Sequence, residues 1–405
     1  MKLYPFQEDG VRYALDHHYT INGCEMGLGK TAQAISVMEK LQRSTLVVCP
    51  AYLRLNWLSE IAKFATTLDC ESFDVISYHK FTREAVDYTD AKLVIFDEAH
   101  YLKNMSTQRT DVAHRFIKKI KPIHLMLLTG TPILNRVTEF YSLLKLCSNN
   151  PRATNGEKIS KGLRHFSRML CYEENIHTSS GFMVKKYHGL KNKALLQKYL
   201  HRKYFRRLAK DELCLPELRH SNIYSDVTPS KSEEDQLTEA FNSSNQGHIS
   251  IAKAKNALFK TTTTLKYVKD LLDQELDSLI IFTDHVLAAK KMYDTLKLKN
   301  TTALVDGSVE PQVRNQIVRN FQEGSLSIIV ATLGSMSTGF NLKKSRHIIF
   351  NDHSWVPAIN LQAIARIYRI GQTRSALISR IICPGIDFVI QKSLDEKMEV
   401  LKNAT

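Results

Sequence analysis

Apolar residues in this chain gather in short dense runs, separated by stretches of helical period. Leu46-Val47-Val48-Cys49 is stopped by Pro50, and Phe73 to Tyr78, Leu93-Val94-Ile95-Phe96 and Leu125-Met126-Leu127-Leu128 are of the same kind. Short apolar runs of this length predict strands, buried on both faces where no polar side remains. Between them, Val11 and Leu15, Ala32 to Met38, and Leu53 to Phe64 carry apolar positions at helical spacing. Strand and helix in alternation predict an α/β domain with a mostly parallel sheet.

From about Asn135 to His220 this pattern loosens into polar, loop-rich, basic sequence, and Thr228 to Gly247 reads as a linker or surface helix. A second alternating set then begins near Leu258. Its strands are Ser278 to Thr283, Ala303 to Val305, Leu326 to Thr332 and His347 to Phe350, with helices at Val286 to Leu296 and Ser308 to Phe321. A last helix is expected over Leu361 to Gly371, closed by the glycine, with Arg366 and Arg369 on one face. The pattern divides the chain into a first lobe over 1–145, an insertion over 146–222, a linker region over 223–257 and a second lobe over 258–405.

Composition narrows the partners. The 405 residues include 56 Lys and Arg against 41 Asp and Glu, a net charge of +15, which points to a polyanion, nucleic acid before an anionic membrane. The seven cysteines are scattered, with no Cys-x-x-Cys pair, which speaks against a disulfide framework or a zinc site and for a reducing compartment. No run of 18 apolar residues occurs and the first residues hold no signal-peptide core, so a soluble intracellular protein without a membrane partner is expected. That means cytoplasm, a host's if the source is viral, or nucleus if it is eukaryotic.

Candidate chemistry lies where the runs end. Gly23-Cys24-Glu25-Met26-Gly27-Leu28-Gly29-Lys30-Thr31 feeds directly into a helix. Glycines let backbone N–H groups converge on a polyphosphate, and the helix N-terminus adds partial positive charge. Lys30 would reach the β- and γ-phosphates and Thr31 would help hold Mg²⁺; the strict spacing would put glycine at position 24, where Cys24 stands. Asp97-Glu98-Ala99-His100 follows the strand Leu93 to Phe96, where Asp97 can hold Mg²⁺ and Glu98 can orient and deprotonate an attacking water. Thr129-Gly130-Thr131-Pro132 closes the next strand and is placed to sense the γ-phosphate. Gln7 could pair its amide with an adenine edge. Arg366 and Arg369 could neutralise charge developing on the γ-phosphate.

Taken together, these strings resemble the Snf2 family of superfamily 2 DNA translocases over nearly the whole length. The most specific are Glu25 to Thr31, Asp97 to His100, and Trp355-Val356-Pro357 followed by Gln362-Ala363-x-x-Arg366-x-x-Arg369-Ile370-Gly371-Gln372. The resemblance implies two RecA-like lobes with a small, mainly helical insertion, ATP and Mg²⁺ as cofactors, and DNA as partner. It implies catalytic roles for Lys30, Asp97, Glu98, Arg366 and Arg369, and nucleotide contacts at Gln7, Gly27, Gly29, Lys30, Thr31 and Gly339. DNA contacts are expected at Pro50, Tyr78, Arg206, Arg207, Thr283 and Trp355. Phe205-Arg206-Arg207-x-x-Lys210 with Leu215-Pro216 is similar to the basic block closing the family's insertion. Ser179-Ser180-Gly181 and the short insertion are most similar to the annealing-helicase, fork-remodelling subgroup, and the lack of accessory domains is similar to compact bacteriophage-encoded members. Branched or forked duplex, recombination or replication proteins as possible partners, and a monomeric state follow as expectations. Alternatives are a general duplex translocase, an RNA helicase and a non-catalytic nucleotide-gated scaffold. Cys24 in place of the usual acid, the degenerate Ser335 to Leu342, and Ala365 in place of a frequent Asp lead to an expectation of altered DNA coupling rather than lost hydrolysis.

Overall fold

In the computed structural model the described residues are all but 1, 132–135, 153–158, 160–161, 178–182, 226–234, 236–245, 275, 337–339 and 405. The chain divides into two compact units, Met1–Glu212 with Lys397–Thr405, and Leu213–Glu396.

The first unit is built on six parallel strands. They are β1 (Tyr19–Asn22), β2 (Thr45–Cys49), β3 (Phe73–Ser77), β4 (Leu93–Asp97), β5 (His124–Leu128) and the short β8 (Tyr204–Phe205), in the order β3-β2-β4-β5-β1-β8. Every residue of β1, β2, β4 and β5 is buried, and alternate side chains feed two cores: Val94 and Phe96 on one face, Leu93 and Ile95 on the other. Helices α1 (Pro5–His17), α2 (Lys30–Leu41) and α3 (Arg54–Phe64) contribute Val11, Ile35 and Trp57 to the second core. An unpaired backbone group inside a strand would be costly, so coverage on both faces explains why these runs are almost wholly apolar. The remaining strands of this unit, β6 (Tyr172–His177) and β7 (Met183–His188), pair antiparallel beside the helices Leu163–Leu170 and Lys193–Leu200. The insertion thus carries a hairpin as well as helices.

The second unit repeats the plan with β9 (Leu218–Tyr224), β10 (Leu279–Thr283), β11 (Thr302–Val305), β12 (Ile328–Thr332), β13 (His347–Phe350) and β14 (Ala376–Ile382). Their order is β11-β12-β10-β13-β14-β9, all parallel. Both units are therefore six-stranded parallel sheets covered by helices, the RecA-like lobes expected.

The unit boundary lies at Glu212/Leu213 rather than at 222/223, because all seven residues of β9 pair with β14. A helix over Gln246–Leu272 runs through the position 257/258 at which the second lobe was expected to begin. Most of the Thr228 to Gly247 linker stretch, with Ser179-Ser180-Gly181, Pro132 and Gly339, lies outside the described residues.

Candidate active site

The chain leaves β1 at Asn22, enters the glycine-rich loop, and starts α2 at Lys30. Gly27 (φ 82°) and Gly29 (φ 71°) both take the left-handed conformation that the turn requires. A Cβ at Gly29 would lie 2.4 Å from Nε2 of Gln7, so the buried Gln7 amide packs directly under the loop. That amide is already engaged: Oε1 accepts from the Tyr4 N–H (3.0 Å), and Nε2 donates to the Leu28 carbonyl (3.1 Å). Gln33 donates to the same carbonyl (3.3 Å) and accepts from Asn22 Nδ2 (2.7 Å), whose Oδ1 accepts from the Cys24 N–H (3.1 Å). Gln7 is thereby a brace of the loop; sequence reasoning passed over Asn22 and Gln33.

Lys30 Nζ donates to the carbonyls of Cys24 (2.8 Å) and Glu25 (3.2 Å). An ammonium with three donors exchanges carbonyls for phosphate oxygens readily, so the lysine is poised over the loop that a phosphate would fill. Cys24 is fully buried and its thiol is pushed up to about 11 by burial, so it is neutral and supplies no charge to a cation.

Asp97 ends β4 beside this loop. Its Oδ2 accepts from Trp57 Nε1 (2.8 Å), its Oδ1 from the Glu98 N–H (2.9 Å), and its carbonyl from the Tyr78 hydroxyl (2.9 Å). Burial, with the adjacent Glu98 carboxylate, raises its pKa to about 6. Each carboxylate oxygen keeps a lone pair for a cation. Among the described residues no group of three or more His, Cys, Asp or Glu side chains is placed to hold a metal. Mg²⁺ binds through one or two protein oxygens with phosphates and water, and the hydroxyl of Thr31 and the carboxylate of Asp97 are oxygen donors of that kind. Glu98 sits at φ 50°, a left-handed conformation rare and costly for a residue with a side chain, and such strain gathers at working sites. Its Oε2 lies 3.2 Å from His100 Nδ1. Past β5, a Cβ at Gly130 would meet Met26 (2.6 Å) and Lys30 Nζ (3.2 Å), so the expected phosphate sensor does approach the loop.

In the second unit the expected continuous helix is interrupted. It spans Pro357–Ile364, with Pro357 in its first turn, and Arg366 and Arg369 follow its end rather than sharing its face. The Arg366 carbonyl accepts from the Leu342 N–H (3.0 Å). The two guanidinium groups still converge, both donating to the Phe340 carbonyl, at 3.1 and 3.4 Å. Gln372 secures the turn by donating to Lys343, Ser345 and Ile367 carbonyls.

Several expected DNA contacts have other work. Tyr78 is buried against Phe96 and Tyr101 and holds the Asp97 carbonyl. Thr283 is fully buried and donates to the Asp352 carboxylate. Neither side chain faces solvent, and each hydroxyl finds an internal acceptor. Pro50 is buried at the end of β2. Trp355 packs on Ala252, Ile390 and Leu394 with Lys253 Nζ 5.4 Å from its ring centre. Arg207 stacks on Phe205 (4.8 Å) and pairs with Asp9 (3.4 Å) and Glu212 (3.1 Å); Arg206 is half-buried beside it.

Two family models match the chain, a SNF2-related domain over residues 6–85 and 70–274 and a helicase conserved C-terminal domain over 263–371. Similar curated proteins include the Xenopus laevis SWI/SNF-related matrix-associated actin-dependent regulator of chromatin subfamily A-like protein 1, 26% identical over 99% of this chain and 44% of that protein. The mouse DNA annealing helicase and endonuclease ZRANB3 is 26% identical over 98% and 40%. A putative ATP-dependent helicase/translocase of Bacillus subtilis, YwqA, is 24% identical over 98% and 47%. The chain spans about half the length of the curated relatives it matches. Among solved structures, the Sulfolobus solfataricus SWI2/SNF2 ATPase core in complex with dsDNA is similar at 22% identity, with a TM-score of 0.43, covering 100% of this chain and 94% of that one.

Proposed function

The chain belongs to the SNF2-related family of superfamily 2 ATPases, and on that premise we propose that it is an ATP-driven DNA motor that remodels branched or forked duplex. The observation that carries the proposal is the phosphate loop with Lys30 drawn over it, beside an Asp97 held on three sides and a strained Glu98.

Each residue's part follows from its setting. Lys30 releases the Cys24 and Glu25 carbonyls and takes the β- and γ-phosphate oxygens. Thr31 and Asp97 would hold Mg²⁺, which neutralises charge on those oxygens when bound. Trp57, Tyr78 and the Glu98 N–H keep the Asp97 carboxylate aimed. Glu98, with His100 beside it, accepts the proton of the attacking water. Arg366 and Arg369, whose guanidinium groups converge on the Phe340 carbonyl, are the cations that would neutralise charge developing on the γ-phosphate. Cycles of lobe engagement and release would move the protein along a strand as a monomer.

The +15 net charge supports a DNA partner, and likeness to an annealing helicase supports branched substrates. Likeness to a putative helicase/translocase supports a second reading, a general duplex translocase. The deciding experiment measures ATPase rate without nucleic acid and with single-stranded DNA, plain duplex, a fork, a four-way junction and RNA. Strongest stimulation by fork and junction is expected. Equal stimulation by plain duplex would leave the general translocase, preference for RNA would mark an RNA helicase, and no stimulation by any of them would refute the motor.

A further inference from the structure

One loop residue is bonded in three directions at once. The Glu25 carbonyl accepts from Lys30 Nζ (3.2 Å), its N–H donates to the Arg207 carbonyl (2.9 Å), and its Oε2 accepts from the Ala209 N–H (2.7 Å). The partners of the last two lie in the segment Lys203–Glu212, which runs alongside β1 and its loop. Ile21 N–H donates to the Lys203 carbonyl (2.6 Å) and Gly23 N–H to the Phe205 carbonyl (2.8 Å). The fit is tight: a Cβ on Gly23 would fall 2.1 Å from the Tyr204 ring. Arg207 fastens the same segment to α1 through Asp9 and to the short helix Ala209–Glu212 through Glu212.

We infer that Lys203–Glu212 is a relay strap, latched by Glu25 and Arg207, that reads phosphate-loop occupancy and passes it towards the second lobe. The inference rests on the ATP-site reading above. Gln7 and Gln33 both hold the Leu28 carbonyl, so the loop's second half is braced. The Cys24 and Glu25 peptides instead share the Lys30 ammonium, which phosphates must take from them. When Lys30 leaves, the Glu25 peptide loses a cationic donor and readjusts, while its N–H and carboxylate remain bonded to the strap. The strap therefore shifts with it. Beyond Glu212 the five residues 213–217 lead into β9, which is paired along its length in the second sheet. Such a connection spans at most about 17 Å. The strap's far end is thus five residues from the second sheet.

Hydrogen exchange of the amides of residues 205–212, measured without DNA, tests the relay. Mg²⁺ with a non-hydrolysable ATP analogue at saturation should change exchange at Arg207 to Ala209 at least about fivefold in the wild type. In Arg207→Gln and in Asp9→Asn, binding of a fluorescent ADP should stay within about twofold while the nucleotide-driven exchange change falls about fivefold or more, and in Asp9→Asn, which leaves the arginine in place, the DNA-stimulated to basal ATPase ratio should fall likewise. Asp9→Asn alters no loop residue and keeps the test open if Arg207→Gln misfolds. Exchange in the strap that ignores bound nucleotide, or variants that keep the wild-type response, would overturn the relay. Failure to bind nucleotide at all would instead overturn the ATP-site reading.

Discussion

Replacing Trp57 with Phe removes one atom group that matters, the indole N–H given to Asp97 Oδ2 at 2.8 Å, and keeps most of the buried ring. A hydrogen bond to a charged group contributes about 1.5–3 kcal/mol. At about 1.4 kcal/mol per unit, losing it raises the Asp97 pKa by about 1–2 units. Starting from about 6, the carboxyl would titrate near 7–8. At pH 7 the ionised fraction then falls from roughly nine-tenths to between one-half and one-tenth. Only the ionised form offers Mg²⁺ a ligand. The acidic limb of the ATPase pH profile, recorded at fixed Mg²⁺, should therefore move up by about 1–2 pH units, with activity returning near pH 9. Truncating the ring also leaves a small void, at a cost of about 1–2 kcal/mol. Ile61→Val, in the same core, controls for that loss: it should lower Tm without moving the limb. A Trp57→Phe enzyme with the wild-type limb would refute the argument that this indole sets the ionisation of Asp97.

Further outcomes follow from other contacts. Lys30→Ala should abolish ATP hydrolysis while duplex binding, measured by fluorescence anisotropy, stays within about threefold, since DNA phosphates are held elsewhere; normal hydrolysis would displace Lys30 from the site. Gly29→Ala forces a Cβ into φ 71° and to 2.4 Å from Gln7 Nε2, and should cost about 1–3 kcal/mol of first-lobe stability, read as a fall in denaturant midpoint. Buried His124 and His347 are held down at about 4 by burial, so each is neutral in the fold and protonates in the unfolded chain from about pH 6.5 downwards. The unfolded state then binds more protons, and each histidine should cost about 2 kcal/mol between pH 7 and 5, partly offset by Asp97, which takes up its proton in the fold near pH 6. Tm should fall over that interval; a flat Tm would contradict it.

Much of the architecture was legible because its signals are local. A run such as Leu93 to Phe96 has no polar side to turn to water, so it belongs in a sheet covered on both faces. Glycine at 27 and 29 marks the left-handed turns of the loop, and acids directly after a buried strand mark the sheet edge where ligands gather. What stayed illegible depends on partners far away in sequence. Nothing near Tyr78 or Thr283 says that their hydroxyls turn inward, to an Asp97 carbonyl and an Asp352 carboxylate. The helix before Arg366 stops at Ile364, and the Arg366 carbonyl pairs with the distant Leu342 N–H, a contact that helical periodicity does not register.

The amino-acid sequence alone determined two parallel α/β lobes, the phosphate loop and the acidic strand end, since burial, glycine conformation and helix-start chemistry act within a few residues. Tertiary structure decided how those parts are tuned. Trp57 reaches Asp97 across 40 residues, and Arg207 reaches Asp9 across 198. Only the folded sheet brings the basic block beside β1, where its backbone must satisfy exposed strand-edge groups and its arginine becomes a latch.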